Sequence, residues 1–339
     1  MRQQIKLKQN NKLTLITLLG IIILLISVVL SITYGAKSVG LSDVIDAITG
    51  NNTSSYNVNV VQARIPRTLF GIIAGASLSI SGVLMQSITR NPIADPSILG
   101  VNTGASLFIV CGISFFNIQS KGAYIMFAFA GAMLTALFVY RLANMGYGGA
   151  TPIKLAISGA AISTALSSLI SIVVMPDSSV MTTFRFWQIG SIGGTSINDI
   201  LLLLPFALVA VCISLLMSHN LDAMLLSDET AKSLGLNINQ TRAIAAIYGV
   251  LLCATTTALA GPISFVGLMI PHLIRGLIGS AHKPLIICSG IYGGAVLIFA
   301  DILGRVLGNP GELESGIMTA LIGAPVFIYI IRKAKLQSL

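Results

Sequence analysis

Charge is what this sequence has least of. Only 9% of the 339 residues are charged, and eleven are acidic, against about a quarter charged in soluble domains. A water-soluble fold of this length could not cover its surface with so few charges. Histidine occurs three times, at His219, His272 and His282, and none has a second histidine or cysteine at i+3 or i+4. That pattern suits headgroup or loop contacts and gives no helical metal site. The four cysteines, Cys111, Cys212, Cys253 and Cys288, lie apart inside apolar runs and read as small buried hydrophobes. No GxxxxGK[ST] stretch offers a backbone cradle for phosphates, so the chain has no ATP-hydrolysing equipment of its own. No apolar run carries a charge near its middle. This argues against an ion-coupled secondary transporter, the reading from a different class, which needs intramembrane carboxylates, histidines or an ion site. Together with the polar inner loop at 220–241, it also argues against an energy-independent channel.

Apolar residues fill the gap. They make up 55% of the chain, and mean hydropathy is +0.90. The apolar runs are 13–32, 68–88, 97–116, 122–140, 153–175, 200–217, 242–260, 265–278, 285–302 and 316–331. The expected fold is an all-α polytopic membrane protein of about ten transmembrane helices, forming a single transmembrane domain over 1–339. The 13–32 run follows Arg2, Lys6, Lys8 and Lys12. It is long for a signal-peptide core and no clear small-residue cleavage site follows, so it reads as a retained first span. The run 265–278 is short and holds Pro271, which suggests a helix shielded by protein. Residues 33–59 read as an exposed loop, with a short amphipathic helix at 41–48 and an Asn/Ser/Thr-rich patch at 49–57.

The net charge of +9 does not mark a nucleic-acid binder, because the basic residues sit in short loops between spans. With both termini cytoplasmic, fourteen of the twenty basic residues fall inside and six outside, as the positive-inside rule requires. Arg64, Arg67 and Arg305 are exceptions, at span ends on the outside. Snorkelling to headgroups is one reading of them. Trp187, the only tryptophan, reads as an interfacial anchor in the outer stretch 182–196. Small residues crowd 71–82, 159–168, 261–267 and 290–294, and Gly71 and Gly75 stand at GxxxG spacing. They suit close helix packing or, on another face, a pathway wall with short side chains.

The most polar inner loop is 220–241. Ser227 can cap a short helix that starts at Asp228 and Glu229, where acids suit the helix dipole, and Gly235 can end it. A second inner connection, Arg90-Asn91-Pro92-Ile93-Ala94-Asp95-Pro96, is stiffened by its two prolines, which also deny helix to the residues before them.

The stretch 60–104, with Arg64-Ile65-Pro66-Arg67 at its start, resembles the signature region of FecCD-type (type II) ABC importer permeases. These import vitamin B12, haem and iron–siderophore complexes. The resemblance extends over nearly the whole chain, through Ala300-Asp301-Ile302-Leu303-Gly304-Arg305 to the closing stretch 316–328. It implies that Arg64, Arg67 and Arg305 dock a substrate-binding protein through carboxylates, a role that suits the planar guanidinium fork. It also implies that Asp228, Glu229, Ala231, Leu234, Gly235 and Leu236 form the helix that couples to an ATPase. The proline-bearing continuation of the wider importer motif is absent. Asn91, Pro92 and Ile93, with Thr151 as second contributor, would narrow the cytoplasmic end of the pathway. The expected protein is thus the transport subunit, not an enzyme, of an importer for iron(III)–siderophores, with haem or vitamin B12 as alternatives. It would sit in a bacterial cell membrane as a pair with a second permease subunit. Two cytoplasmic ATPase subunits would carry ATP and Mg, and an extracellular or periplasmic binding protein would deliver substrate. No cofactor is expected on this chain.

Overall fold

The computed structural model describes residues 2–35, 37–50, 55–146 and 150–336, and every regular element among them is helical. In order these are α1 (Arg2–Thr33), α2 (Leu41–Thr49), α3 (Tyr56–Thr89), a 3₁₀ turn (Pro96–Leu99), α4 (Val101–Phe116) and α5 (Lys121–Asn144). Then come α6 (Pro152–Val174), α7 (Ser178–Ile189), α8 (Ile197–Leu216), α9 (Ser218–Leu226) and α10 (Asp228–Ser233). The chain closes with α11 (Ile238–Ala260), α12 (Val266–Ile278), α13 (His282–Leu307) and α14 (Ser315–Leu336). Seven helices (α1, α3, α5, α6, α8, α11 and α13) are long and apolar enough to cross a membrane, and α4, α12 and α14 are shorter apolar helices. Together they account for the ten expected runs. The centre of the patch at 49–57, residues 51–54, lies outside the described residues, as do the side chains of Arg2, Lys6 and Lys8.

The bundle is built around α3 and α13. Phe70, Leu84, Leu285 and Leu297 are among their fully buried side chains. Glycines set the spacing of the two helices. A Cβ on Gly75 would run into the Gly293 backbone, and one on Gly293 into that of Gly75. Without side chains at the crossing, the two backbones touch, as small-residue motifs permit. Gly71, four residues earlier, meets only the side chains of Ile298 and Ile192. The GxxxG pair therefore has one residue at the backbone crossing and one against side chains.

Several boundaries differ from the sequence expectation, each for a physical reason. Helix α3 starts at Tyr56 instead of Thr68, so Arg64 and Arg67 lie within it and Pro66 is an internal proline. Polar Asn57, Asn59 and Gln62 interrupt the apolar signal, yet Val58, Val61 and Thr68 keep the buried helical face. The run 97–116 is two elements. Asp95 caps the 3₁₀ turn by accepting from the Ser97 amide at 2.9 Å, and Gly100 at φ 73° restarts the chain as α4. The left-handed conformation there suits only glycine well.

Helix α12 bears out the expected shielding. Pro271 removes an amide and frees the carbonyl four residues back, which is that of Gly267. Gln86, 3% exposed, reaches over from α3 and donates its Nε2 to the carbonyls of Leu268 at 3.2 Å and Gly267 at 3.5 Å. Other side chains add detail to the expectation. Trp187 is half-buried beside Phe184, ring centroids 6.4 Å apart, and packs with Val110, Ile170 and Val174. Cys212, expected to be buried, is exposed on α8. His282 is buried and contacts Asp222 of the inner 220–241 stretch, in keeping with the expected loop contact.

Candidate functional site

The two ends of α3 carry the two candidate sites. Near its start, the three arginines converge. Arg67 grips Asp301 of α13 with its fork: Nη2 donates to Oδ1 at 2.7 Å and Nε to Oδ2 at 3.0 Å. Its Nη1 donates to Glu312 at 2.7 Å. Arg305 Nε lies 3.0 Å from the other side of Asp301. Arg305 also donates to the Ser31 carbonyl and hydroxyl, at 3.0 and 2.9 Å. Arg64 donates to the carbonyls of Ile32, Thr33 and Lys37 at 2.9, 3.2 and 2.6 Å. The last carbonyls of α1 have no partners within their own helix, and two guanidiniums supply them with donors and with favourable charge at the dipole's negative end. Three cations thus meet two carboxylates and one helix end. Asp301 is 1% exposed and Arg305 1%, so the cluster is internal to the bundle. Lipid-facing snorkelling does not describe these arginines. Only Glu312, at 44% side-chain exposure, stands at the rim.

At the other end, α3 stops at Arg90, which takes a left-handed conformation at φ 49°. The turn that follows is shaped locally. The Asn91 side-chain oxygen accepts from the Ile93 amide at 3.1 Å, and its carbonyl accepts from Ala94 at 3.1 Å, an Asx turn. Ala94 and Pro96 are buried, whereas Asn91, Pro92 and Ile93 project outward. Thr151 caps the start of α6 by accepting from the Lys154 amide at 3.4 Å. Among the described residues no hydrogen bond joins it to Asn91 or Ile93. Helix α6 does approach this connection further along, since a Cβ on Gly159 would strike the Ile98 carbonyl.

The expected short helix is α10. The Ser227 hydroxyl accepts from the Thr230 amide at 2.9 Å. The helix ends in a Schellman turn: Leu236 N donates to Ala231 O at 3.1 Å and Gly235 N to Lys232 O at 2.9 Å, with Gly235 at φ 84°. Ala231 faces inward onto Met224 and Ile238, while Glu229 and Leu234 are exposed. Leu234, at 64% exposure, is an apolar side chain with no cover on this chain. Asp228 does a different job from Glu229. It pairs with Arg90 at 2.7 Å and Arg242 at 2.9 Å, tying α10 to the ends of α3 and α11. The sequence reading of 220–241 as a loop with one helix missed α9, which precedes α10 and packs on α13. Its signal was hidden because its composition is neither strongly apolar nor strongly polar.

A cavity of about 550 Å³ is lined by uncharged groups, hydrogen-bonding ones such as Asn102, Thr103, Ser106, Ser167, Ser171 and Gln188 beside apolar Ile170, Phe184 and Ile189. One wall is α6, whose small residues Ala160, Ala161, Thr164, Ser167 and Ser168 are exposed. Only 17% of the apolar window of α6 is buried, against 78% for α3.

This architecture has known relatives. The chain matches the FecCD transport family over residues 23–333. It is 39% identical over 313 residues, 92% of this chain and 93% of the other, to the ferric enterobactin transport system permease protein FepD of Escherichia coli (strain K12). It is 36% identical to the Fe(3+)-citrate import system permease protein YfmD of Bacillus subtilis (strain 168), over 97% of each chain. It is 35% identical to the cobalamin import system permease protein BtuC of Halobacterium salinarum, over 81% of this chain and 74% of that one. A solved metal-chelate type ABC transporter in an inward-facing conformation superposes with a TM-score of 0.83 at 27% identity, covering 94% of this chain and 99% of that one. Continuous helices spanning the bundle, an arginine cluster at one end of α3, a capped helix at the other and this likeness along the whole chain lead to one conclusion: the chain is an integral membrane protein of the FecCD transport family.

Proposed function

We propose that this chain is the permease subunit of an ATP-driven importer for iron(III)–siderophore complexes in a bacterial cell membrane. The observation that carries it is the pairing of a neutral, hydroxyl- and amide-lined cavity with an exposed apolar helix tip, Leu234 on α10, at one end of the bundle. The cavity suits a bulky polar chelate that must pass without being held by charge. The tip suits a partner that supplies the energy, since the chain has no phosphate-binding loop. The relatives whose names specify iron chelates set the substrate class. Haem or a corrinoid is the second reading within the family, supported by the cobalamin permease among the relatives. The under-buried face of α6 fits a second permease subunit, closing the pathway between two copies or similar chains. In this reading the α10 end is cytoplasmic, and two ATPase subunits press on Glu229 and Leu234. The arginine end is external, and the binding protein's carboxylates compete with Glu312 for Arg67.

The test is uptake of radiolabelled ferric siderophore by cells or vesicles holding the assembled complex. Leu234→Asp should leave the chain folded, because the side chain is exposed, and should reduce uptake on the order of tenfold or more, as loss of an interface anchor does. Normal substrate-stimulated ATP hydrolysis and uptake in this variant would refute the assignment of α10.

The outward-projecting turn 91–93 is the proposed cytoplasmic gate, with Thr151 as its proposed second contributor. Cysteines introduced at Asn91 or Ile93 should cross-link to their counterparts in the paired subunit when the inner side is closed, and the yield should fall when nucleotide opens it. An unchanged yield with and without an ATP analogue, in a complex shown to transport, would leave only a rigid turn.

A further inference from the structure

Next to the 91–96 turn, α3, α9, α12 and α13 enclose a second cavity, of about 300 Å³. Its walls include Gln86, Arg90, Leu225, Arg275, Ser280 and His282. Arg275 is the anomaly. It is half-buried, yet among the described residues no carboxylate pairs with it. Its one protein acceptor is neutral, the Gln86 Oε1 at 3.0 Å. Arg67, Arg90, Arg242 and Arg305 all have carboxylates within 3.0 Å, and buried Arg64 has three carbonyls. A guanidinium offers five N–H donors, and a cation withdrawn from water without a counter-charge is costly. Arg275 itself lines the cavity.

The surroundings complete a receptor for a multi-oxygen anion. Gln86 is itself fixed by the carbonyls of α12 and so holds the Arg275 fork in place. Arg90 lines the same space, with Nη2 given to Asp228 at 2.7 Å and the Met224 carbonyl at 3.0 Å. His282 is locked on the wall, with Nδ1 2.7 Å from Asp222 and Nε2 2.7 Å from the Ser87 hydroxyl. Asp222 and Asp228 are thus already taken by His282, Arg90 and Arg242, and neither reaches Arg275. The Ser280 hydroxyl adds a donor at the rim. The rim also includes Leu225, 53% exposed, so the opening is part apolar. A lone side-chain carboxylate would satisfy Arg275 and leave Arg90 and Ser280 unaddressed. A tetrahedral anion can accept from several sides of one cavity at once.

We propose that this cavity binds a phosphate group, held chiefly by Arg275 with Arg90 and Ser280 completing its contacts. The phosphate could belong to an anionic lipid headgroup, with Leu225 meeting its apolar part, or to a free phosphate. Its principal ligand, Arg275, has no part in docking, ATPase contact or the gate, although gate residue Pro92 lines the cavity and Arg90 pairs with Asp228 of the α10 helix.

The test uses the full chain in a nonionic maltoside detergent. Its thermal midpoint is followed while inorganic phosphate, or soluble dibutyryl phosphatidylglycerol, is titrated in at constant ionic strength. A ligand of the native state raises the midpoint saturably. Arg275→Gln should raise the half-saturating concentration on the order of tenfold or more, as loss of a charge-assisted bond does. Arg90→Gln should weaken binding less, and Arg141→Gln, an exposed arginine at the end of α5, should change nothing. A response to the lipid analogue alone identifies a headgroup site, and a response to inorganic phosphate as well identifies a general phosphate site. Absence of any saturable shift overturns the proposal, and so does an equal shift in Arg275→Gln. If Arg275→Gln does not fold, Arg275→Lys and Arg90→Gln carry the same comparison.

Discussion

Asp301→Ala should be the most damaging single change at the arginine end, lowering stability by about 3–5 kcal/mol, the usual cost of breaking a buried ion pair from one side. The reason is the asymmetry of burial. Asp301 is 1% exposed and serves both Arg67, at 2.7 Å, and Arg305, at 3.0 Å, whose side chains are only 11% and 2% exposed. Removing the carboxylate leaves Arg305 inside the bundle with no carboxylate partner, and Arg67 with only Glu312 at the rim. Arg305 would still hold the end of α1 through Ser31, so unfolding should begin with separation of α3 from α13 and not with release of α1. The denaturation midpoint in detergent should drop well below that of Glu312→Ala, which removes a pair exposed at the rim and should cost ~1 kcal/mol or less. Equal midpoints for the two variants would show that the cluster is not a stability element.

Gly75→Val should be the second large effect. A side chain at this position points into the Gly293 backbone, which cannot rotate away as a side-chain atom can. The crossing of α3 and α13 must open, and both helices hold the core. Overpacking typically costs about 1–3 kcal/mol, and a backbone clash puts this case at or above the top of that range. Gly71→Ala is the control. Its Cβ would meet Ile298 and Ile192 side-chain carbons at 3.0 and 3.1 Å, which can shift by a few tenths of an ångström. Size-exclusion chromatography of the purified chain should show a folded, monodisperse peak for Gly71→Ala and loss of that peak for Gly75→Val. Matching behaviour of the two would place the tight crossing elsewhere.

The helices were legible in the sequence because apolar runs are a one-dimensional signal. The α10 tip was legible to the residue for a similar reason. Ser227, Ala231 and Gly235 act through caps that bond within a few positions, so chemistry and spacing suffice. The arginine cluster was only half legible. The three residues were singled out, but not their engagement, because Arg67 and Asp301 lie 234 positions apart and no local pattern links them. The start of α3 was hidden by polar residues that face neighbours such as Asp43, which accepts from Asn57 at 2.9 Å. The break at Gly100 depends on a positive φ that hydropathy does not register. Nothing in the sequence singled out Gln86, or Arg275 within the run 265–278. Only the fold shows that one repairs the proline gap in α12 and presents the other to a cavity.

The length of α3 has a mechanical consequence. At 1.5 Å per residue, Arg67 and Arg90 stand about 34 Å apart along one helix, close to the hydrocarbon thickness of a bilayer at about 30 Å. The residues before Arg64 extend the helix beyond that length, and both of its cations are tied within the protein, Arg67 to Asp301 and Arg90 to Asp228. Most spans answer a thicker bilayer by changing tilt. Here one end of the helix is tied to Asp301 and the other to Asp228, so a change in lipid chain length should act on the bundle as a stretch between those two bonds.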